Sequence, residues 1–228
     1  MTIKTLGILE LENRPLSHPG ALAGPGTFTV PVIRAKVAGA TAATISAGDP
    51  VVRDAYIAAA QSLERAGATA ITTNCGFTSV FQANIAAAVS VPVACSSLLM
   101  VPLIAQMLPQ GARIGILTFD AEKLQERHFN AAGWSSDRIP VAVKGIEGSE
   151  TWRQLMRPVP EVTPEQIARD VMAAVHALRD AHSDIGGLLF ECAGFTHMVD
   201  EARRETGLLI ADFVSMINCV LATSPVRG

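Results

Sequence analysis

The sequence predicts an α/β fold of two pseudo-symmetric lobes, each a mainly parallel sheet flanked by helices, with an active site in the cleft between them. Three observations carry that reading. Short, nearly continuous apolar runs alternate with helical patterns, as expected of strands covered on both faces. The word "LGILEL" at residues 6–11 returns as "IGILTF" at residues 114–119. Each is followed about 70 residues later by a strand-like run ending in cysteine, "AITTNC" at Cys75 and "GLLFEC" at Cys192. An internal duplication explains the repetition. The expected lobes are residues 1–97 plus 213–228, carrying Cys75, and residues 98–212, carrying Cys192.

In chain order the expected strands are "IKTLGIL", "TAITTN", "VPVAC", "RIGILTF", "VAVKGI", "GGLLFE" and "GLLIA". Residues 11–28, "LENRPLSHPGALAGPGTF", are rich in proline and glycine and have neither periodicity, so they form a long loop of the kind that serves as a lid or binding loop. Asp49 followed by Pro50 starts a helix that runs to Gly67. Asp120 is placed to cap a helix over "AEKLQERHFNAA", and Thr163 to Gln166 to form a capping box for "IARDVMAAVHALRDA". Trp134 and Trp152 are expected to pack between elements.

The composition narrows the function classes. With 49% hydrophobic residues the chain has ample material for a core, and a net charge of −3 with both signs dispersed offers no surface to nucleic acid. Between Arg65 and Arg113 no residue is charged, yet Pro92 and Pro102 interrupt the apolar stretch, which reads as a strand and a buried helix and not as a membrane span. The cysteines at 75, 95, 192 and 219 form no CxxC pair and have no close histidine spacing, which argues against zinc and against a disulfide framework. No glycine-rich dinucleotide fingerprint occurs, so no cofactor is expected. The first residues carry no long apolar segment, and a cytoplasmic setting is the expectation.

The two strand-end cysteines are the candidate catalytic residues. Ligands of open α/β sheets bind beyond the carboxyl ends of strands, and two facing lobes would bring both thiols there. A cysteine at a helix start is exposed to backbone N–H groups that lower its pKa and make it a base. Gly76 and Gly194 let the backbone approach a ligand, beside Phe77 and Ala193, while Thr78, Ser79 and Thr196 add hydroxyls suited to a carboxylate. One thiolate removing a proton from carbon while the opposite thiol returns one inverts a stereocentre. Cys95 and Cys219 are read as buried core residues. Arg14 and its neighbour Asn13 in the long loop are candidates for the substrate carboxylate. His197 can tune Cys192, and Glu191 can orient or repel the thiol beside it.

These residues resemble the aspartate/glutamate/hydantoin racemase superfamily, whose members work without pyridoxal phosphate or metal. "TTNCGFTSVFQ", "VPVACSSLLMVP", "IGILTFD", "LLFECAGF" and "IADFVSMIN" carry the resemblance, which covers nearly the whole chain. It implies an isomerase, usually a homodimer, acting on a small carboxylate. Cys75 and Cys192 would be the acid/base pair, with Asn74, Thr78, Thr118 and Thr196 near the substrate carboxylate. Two departures turn the expected substrate away from glutamate. "ELENRPLSHPG" replaces the Ser-bearing glycine-rich loop after the first strand, and Ala193, Gly194 and Phe195 intervene before Thr196 and His197. Decarboxylase-like and maleate isomerase-like chemistry on the same scaffold are the alternatives. A non-catalytic carboxylate-binding protein is another, and it would tolerate loss of either thiol.

Overall fold

A computed structural model describes residues 4–224. Ile3 of the first expected strand and residues 225–228 of the expected first lobe lie outside the described residues. The strands are β1 (Leu6–Glu10), β2 (Val32–Lys36), β3 (Ala70–Thr73), β4 (Val93–Ala94), β5 (Arg113–Thr118), β6 (Val141–Gly145), β7 (Ile185–Phe190) and β8 (Leu209–Ala211). They form two four-stranded sheets in the orders β2-β1-β3-β4 and β6-β5-β7-β8, with every pairing parallel. One topology therefore occurs twice, with Gly7 of β1 and Gly115 of β5 at matching places. Both sheets are of the buried, parallel kind that the apolar runs demanded.

The strand β2 is absent from the sequence expectations. It lies at a sheet edge, and its alternation of half-buried residues with exposed Arg34 and Lys36 conceals it.

The helices are α1 (Ala42–Ala47), α2 (Pro50–Arg65), α3 (Gln82–Ala87), α4 (Val101–Met107), α5 (Glu126–Ala131), α6 (Glu150–Leu155), α7 (Pro164–Ala181), α8 (Val199–Thr206) and α9 (Phe213–Thr223). Asp49 caps α2 by accepting from the Val51 N–H, with Pro50 in the first turn. Thr163 caps α7 through the Gln166 N–H, but the Gln166 amide turns to Asp170 and no reciprocal box closes. Asp120 instead accepts from Glu122 N–H and pairs with Lys123 in a turn. The helix there begins only at Glu126, capped by Gln125 and His128. Once Asp120 is spent on its own turn, the next side chains able to close a box set the start.

One apolar cluster runs through both lobes, joining Leu9, Ile71 and Tyr56 of the first to Ile114, Ile116 and Trp134 of the second. Trp134 stacks on Phe129 and donates to Leu98 O, and Ser97 donates to Phe190 O across the junction. Trp152 stacks on Phe119. After β8 the chain crosses back: Phe213, Met216, Ile217 and Leu221 of α9 pack with Leu6, Ile8, Ala70 and Ala94 of the first sheet. Among the described residues no helix is long and apolar enough to cross a membrane.

Candidate active site

β3 and β7 hold corresponding places in their sheets, and the chain leaves both in the same way. Asn74 N–H bonds back to Leu9 O (3.1 Å), and Glu191 N–H to Leu117 O (2.8 Å). Each cysteine then precedes a 3₁₀ turn, Gly76–Phe81 or Ala193–Met198. The turns open with matched bonds of 3.1 Å, Thr78 N–H to Cys75 O and Phe195 N–H to Cys192 O. Gly76 therefore corresponds to Ala193 and Phe77 to Gly194. The Gly–Phe pair that follows each cysteine is offset by one residue between the lobes, but the backbone turn repeats.

Between these strand ends lies a cavity of about 360 Å³. The first lobe contributes Asn74, Cys75, Gly76 and Phe77 to it, and the second Glu191, Cys192, Ala193 and Gly194. Both thiols are half-buried. Most of the remaining wall is apolar, made by Leu11, Leu16, Leu22, Phe119 and Leu155. Nothing in the local pattern of these side chains marks them in the sequence as cavity wall.

The loop of residues 11–28 crosses from the first lobe to the second and closes this space. Asn13 donates to Leu155 O (3.2 Å), Arg14 N–H to Pro158 O (2.8 Å), and Thr196 Oγ1 to Gly20 O (2.9 Å). The rings of His18 and His197 meet edge to face at 4.5 Å. Arg14 lines the cavity, and among the described residues its guanidinium has no carboxylate or hydrogen-bond partner. The other cavity cations are paired, Arg34 with Glu10 and Lys123 with Asp120.

Three expected ligands of the carboxylate lie elsewhere. Thr196 is spent on the loop, its hydroxyl held by Gly20 O. Thr118 donates to Glu191 Oε2 at 2.7 Å. Thr78 is fully buried behind Phe77 in the turn and does not line the cavity. His197 is directed to Pro164 O and His18, not to Cys192. Of the two cysteines expected in the core, Cys95 is buried and Cys219 is exposed.

The thiols are not acidified as the helix-start argument expects. Burial pushes Cys75 up to about 12, and Glu191 adds to the rise, against the opposing backbone N–H groups of Phe77 and Thr78. Cys192 is likewise pushed up by burial and then by Glu191, with the Gly194 N–H opposing. Loss of water and a nearby carboxylate together outweigh one short turn of N–H donors. The residue that sequence reasoning undervalued is Glu191. It is 1% exposed, burial raises its carboxyl to about 7, and only the Thr118 hydroxyl opposes that rise. Adjacent residues on a strand face opposite ways, but β7 ends at Phe190, so Glu191 and Cys192 both reach the cavity. Among the described residues no group of three or more His, Cys, Asp or Glu could hold a metal ion.

Duplicated α/β lobes that set a cysteine at each side of one cleft define the class as the two-lobed fold of the racemases and their relatives. The Asp/Glu/Hydantoin racemase family model matches residues 20–218, and the chain belongs to that family. No curated protein matches the sequence. Among solved structures, a glycine-to-cysteine mutant of arylmalonate decarboxylase in its sulfate-associated form is 14% identical, with TM-score 0.65 over 97% of this chain and 94% of that one. Picrophilus torridus aspartate racemase is 10% identical, with TM-score 0.62 over 98% and 96%. A glutamate racemase isoform from Bacillus anthracis is 13% identical, with TM-score 0.61 over 98% and 82%. At these identities the likeness is one of fold.

Proposed function

We propose that the protein is a cofactor-independent racemase or epimerase acting on a carbon acid alpha to a carboxylate or carbonyl, with Cys75 and Cys192 as its two acid/base groups. The observation that carries this reading is the cavity lined by one half-buried thiol from each lobe, at matching strand ends. One thiolate takes the proton from the substrate carbon while the opposite thiol supplies another, and the reverse reaction exchanges their roles. Arg14, the one unpaired cavity cation among the described residues, suits a single carboxylate. The apolar wall favours an apolar substituent on the reacting carbon, as in an aryl- or alkyl-bearing amino acid or hydantoin, over the second carboxylate of aspartate or glutamate. A homodimer is the assembly to expect, readable by light scattering.

The same apolar wall favours a second reading, decarboxylation of a malonate-type acid with an apolar substituent. That reaction releases carbon dioxide and needs one of the two cysteines. Screening amino acids, hydantoins and dicarboxylates for solvent deuterium incorporation identifies the substrate. Cys75→Ala and Cys192→Ala should each abolish racemisation and leave the fold intact. In deuterated water each should slowly exchange the α-proton of one enantiomer, and the two variants should choose opposite enantiomers. A variant at either position that racemises at the wild-type rate overturns the mechanism.

A further inference from the structure

Glu191 is a buried acid with half of its hydrogen-bonding capacity unused. Its Oε2 accepts the Thr118 hydroxyl at 2.7 Å, while its Oε1 is buried with no partner among the described residues. The carboxyl lies against the Cys75 loop so closely that a Cβ on Gly76 would stand 1.9 Å from Oε1. Glu191 is also one of the residues lining the cavity that both cysteines line. A buried carboxylate oxygen without a donor is costly, whereas a carboxylic acid holding its proton on that oxygen becomes a donor in search of an acceptor.

We propose that Glu191 binds substrate as a neutral acid, Thr118 fixing Oε2 so that the Oε1–H donates a hydrogen bond to the substrate's carboxylate. This rests on the reading above that a carboxylate occupies this cavity. A donor held where negative charge develops also favours the enediolate formed when the α-proton leaves. The titratable groups facing Glu191 are the thiols of Cys75 and Cys192. The charged side chains lining the same space are Arg14, Arg34 paired with Glu10, and Lys123 paired with Asp120. None of them neutralises Glu191 directly. Among the described residues its only side-chain hydrogen-bond partner is Thr118. An ionised Glu191 would therefore repel the carboxylate that the neutral acid attracts.

Two alkylating reagents that differ by one charge test this without a known substrate. The ratio of iodoacetate to iodoacetamide modification at Cys75 and Cys192, read peptide by peptide in the mass spectrometer, cancels the thiolate fraction and leaves recognition of the carboxylate. In the wild type this ratio should fall roughly fivefold or more between about pH 6 and about pH 8.5, as Glu191 ionises beside the bound carboxylate. In Glu191→Gln it should stay level. In Thr118→Val the fall should move to higher pH, because the lost hydroxyl opposed the rise of the Glu191 carboxyl. A level ratio in the wild type overturns the proposal, as does a fall that survives in Glu191→Gln. Because the ratio does not depend on which thiol is the base, failure of the two-thiol mechanism appears only in the deuterium assay. Failure of this proposal appears only in the ratio.

Discussion

The two strand-end loops are copies in backbone and opposites in charge. At the position before the cysteine the first lobe carries Asn74, whose Oδ1 accepts the Leu11 N–H at 2.9 Å and anchors the start of the long loop. The second lobe carries Glu191 there, reaching across to the Cys75 turn. One strand over, the assignment reverses. β1 ends in Glu10, 4% exposed and bound to Arg34 at 2.7 Å, while β5 ends in Thr118, which serves Glu191. Each lobe therefore buries an acid at one of these matched positions. The first lobe's acid is neutralised by an arginine, and the second lobe's has only a hydroxyl. A duplicated scaffold supplies two equivalent thiols, and substitutions at two pairs of matched positions make their surroundings unequal.

The sharpest way to break the comparison is at the residue after each cysteine. Gly76 has no positive φ to require glycine; it is needed because the Glu191 side chain and carbonyl occupy the space of a Cβ, at 1.9 and 2.4 Å. At the matching position Ala193 already carries a Cβ. Gly76→Ala should therefore destabilise by about 3 kcal/mol, since a backbone carbonyl cannot swing aside as a side chain can. Ala193→Gly should cost about 0.5–1 kcal/mol from backbone entropy. Paired urea unfolding curves check both values. Equal small losses would mean that the carboxyl does not lie against the Cys75 turn.

The two acids sharpen the comparison further. Glu10→Gln weakens a charge-assisted bond to a partner 31% exposed, and should cost about 1–2 kcal/mol at neutral pH. Glu191→Gln should do the opposite. A carboxyl raised to about 7 in the folded state binds a proton that the unfolded chain has released above about 4.5, so wild-type stability falls as pH rises between those values. At about pH 8 the whole penalty applies, and Glu191→Gln should be more stable than wild type by roughly 2–3 kcal/mol. At about pH 4 that part of the difference should vanish. Unfolding curves of wild type and variant at both pH values give the difference directly. A variant no more stable at pH 8 than at pH 4 would show that Glu191 ionises freely.

Much of this arrangement is legible in the sequence. "LGILEL" and "IGILTF" expose the duplication because buried parallel strands must be apolar throughout, and the prolines and glycines of residues 11–28 expose the loop that closes the cleft. What stays hidden depends on contacts between distant residues. β2 is half polar because it is an edge, and Thr118 and Thr196 share a sequence neighbourhood with the site while their hydroxyls serve the protein itself. The raised thiol pKa values are hidden for the same reason. A helix start is a local feature, but burial and the approach of Glu191 come from the packing of one lobe on the other.

The smallest expected effect concerns the thiols themselves. Glu191 raises both Cys75 and Cys192, second only to burial in each case. With neutral iodoacetamide, wild type and Glu191→Gln should react alike below about pH 7, where Glu191 holds its proton. Above that pH the wild-type rates should flatten, because each thiolate must form beside an ionised carboxylate, whereas the variant's rates continue to climb with hydroxide. By about pH 8.5 both cysteines of the variant should react roughly fivefold to tenfold faster than those of the wild type. Cys219 is the internal control: exposed on α9, it should react fastest of the four and identically in both proteins, while buried Cys95 should hardly react. A rise confined to one of the two cleft cysteines would show that the carboxylate acts on that loop alone. No rise at either would remove Glu191 from the electrostatics of the cleft, leaving the asymmetry between the lobes without consequence for the thiols.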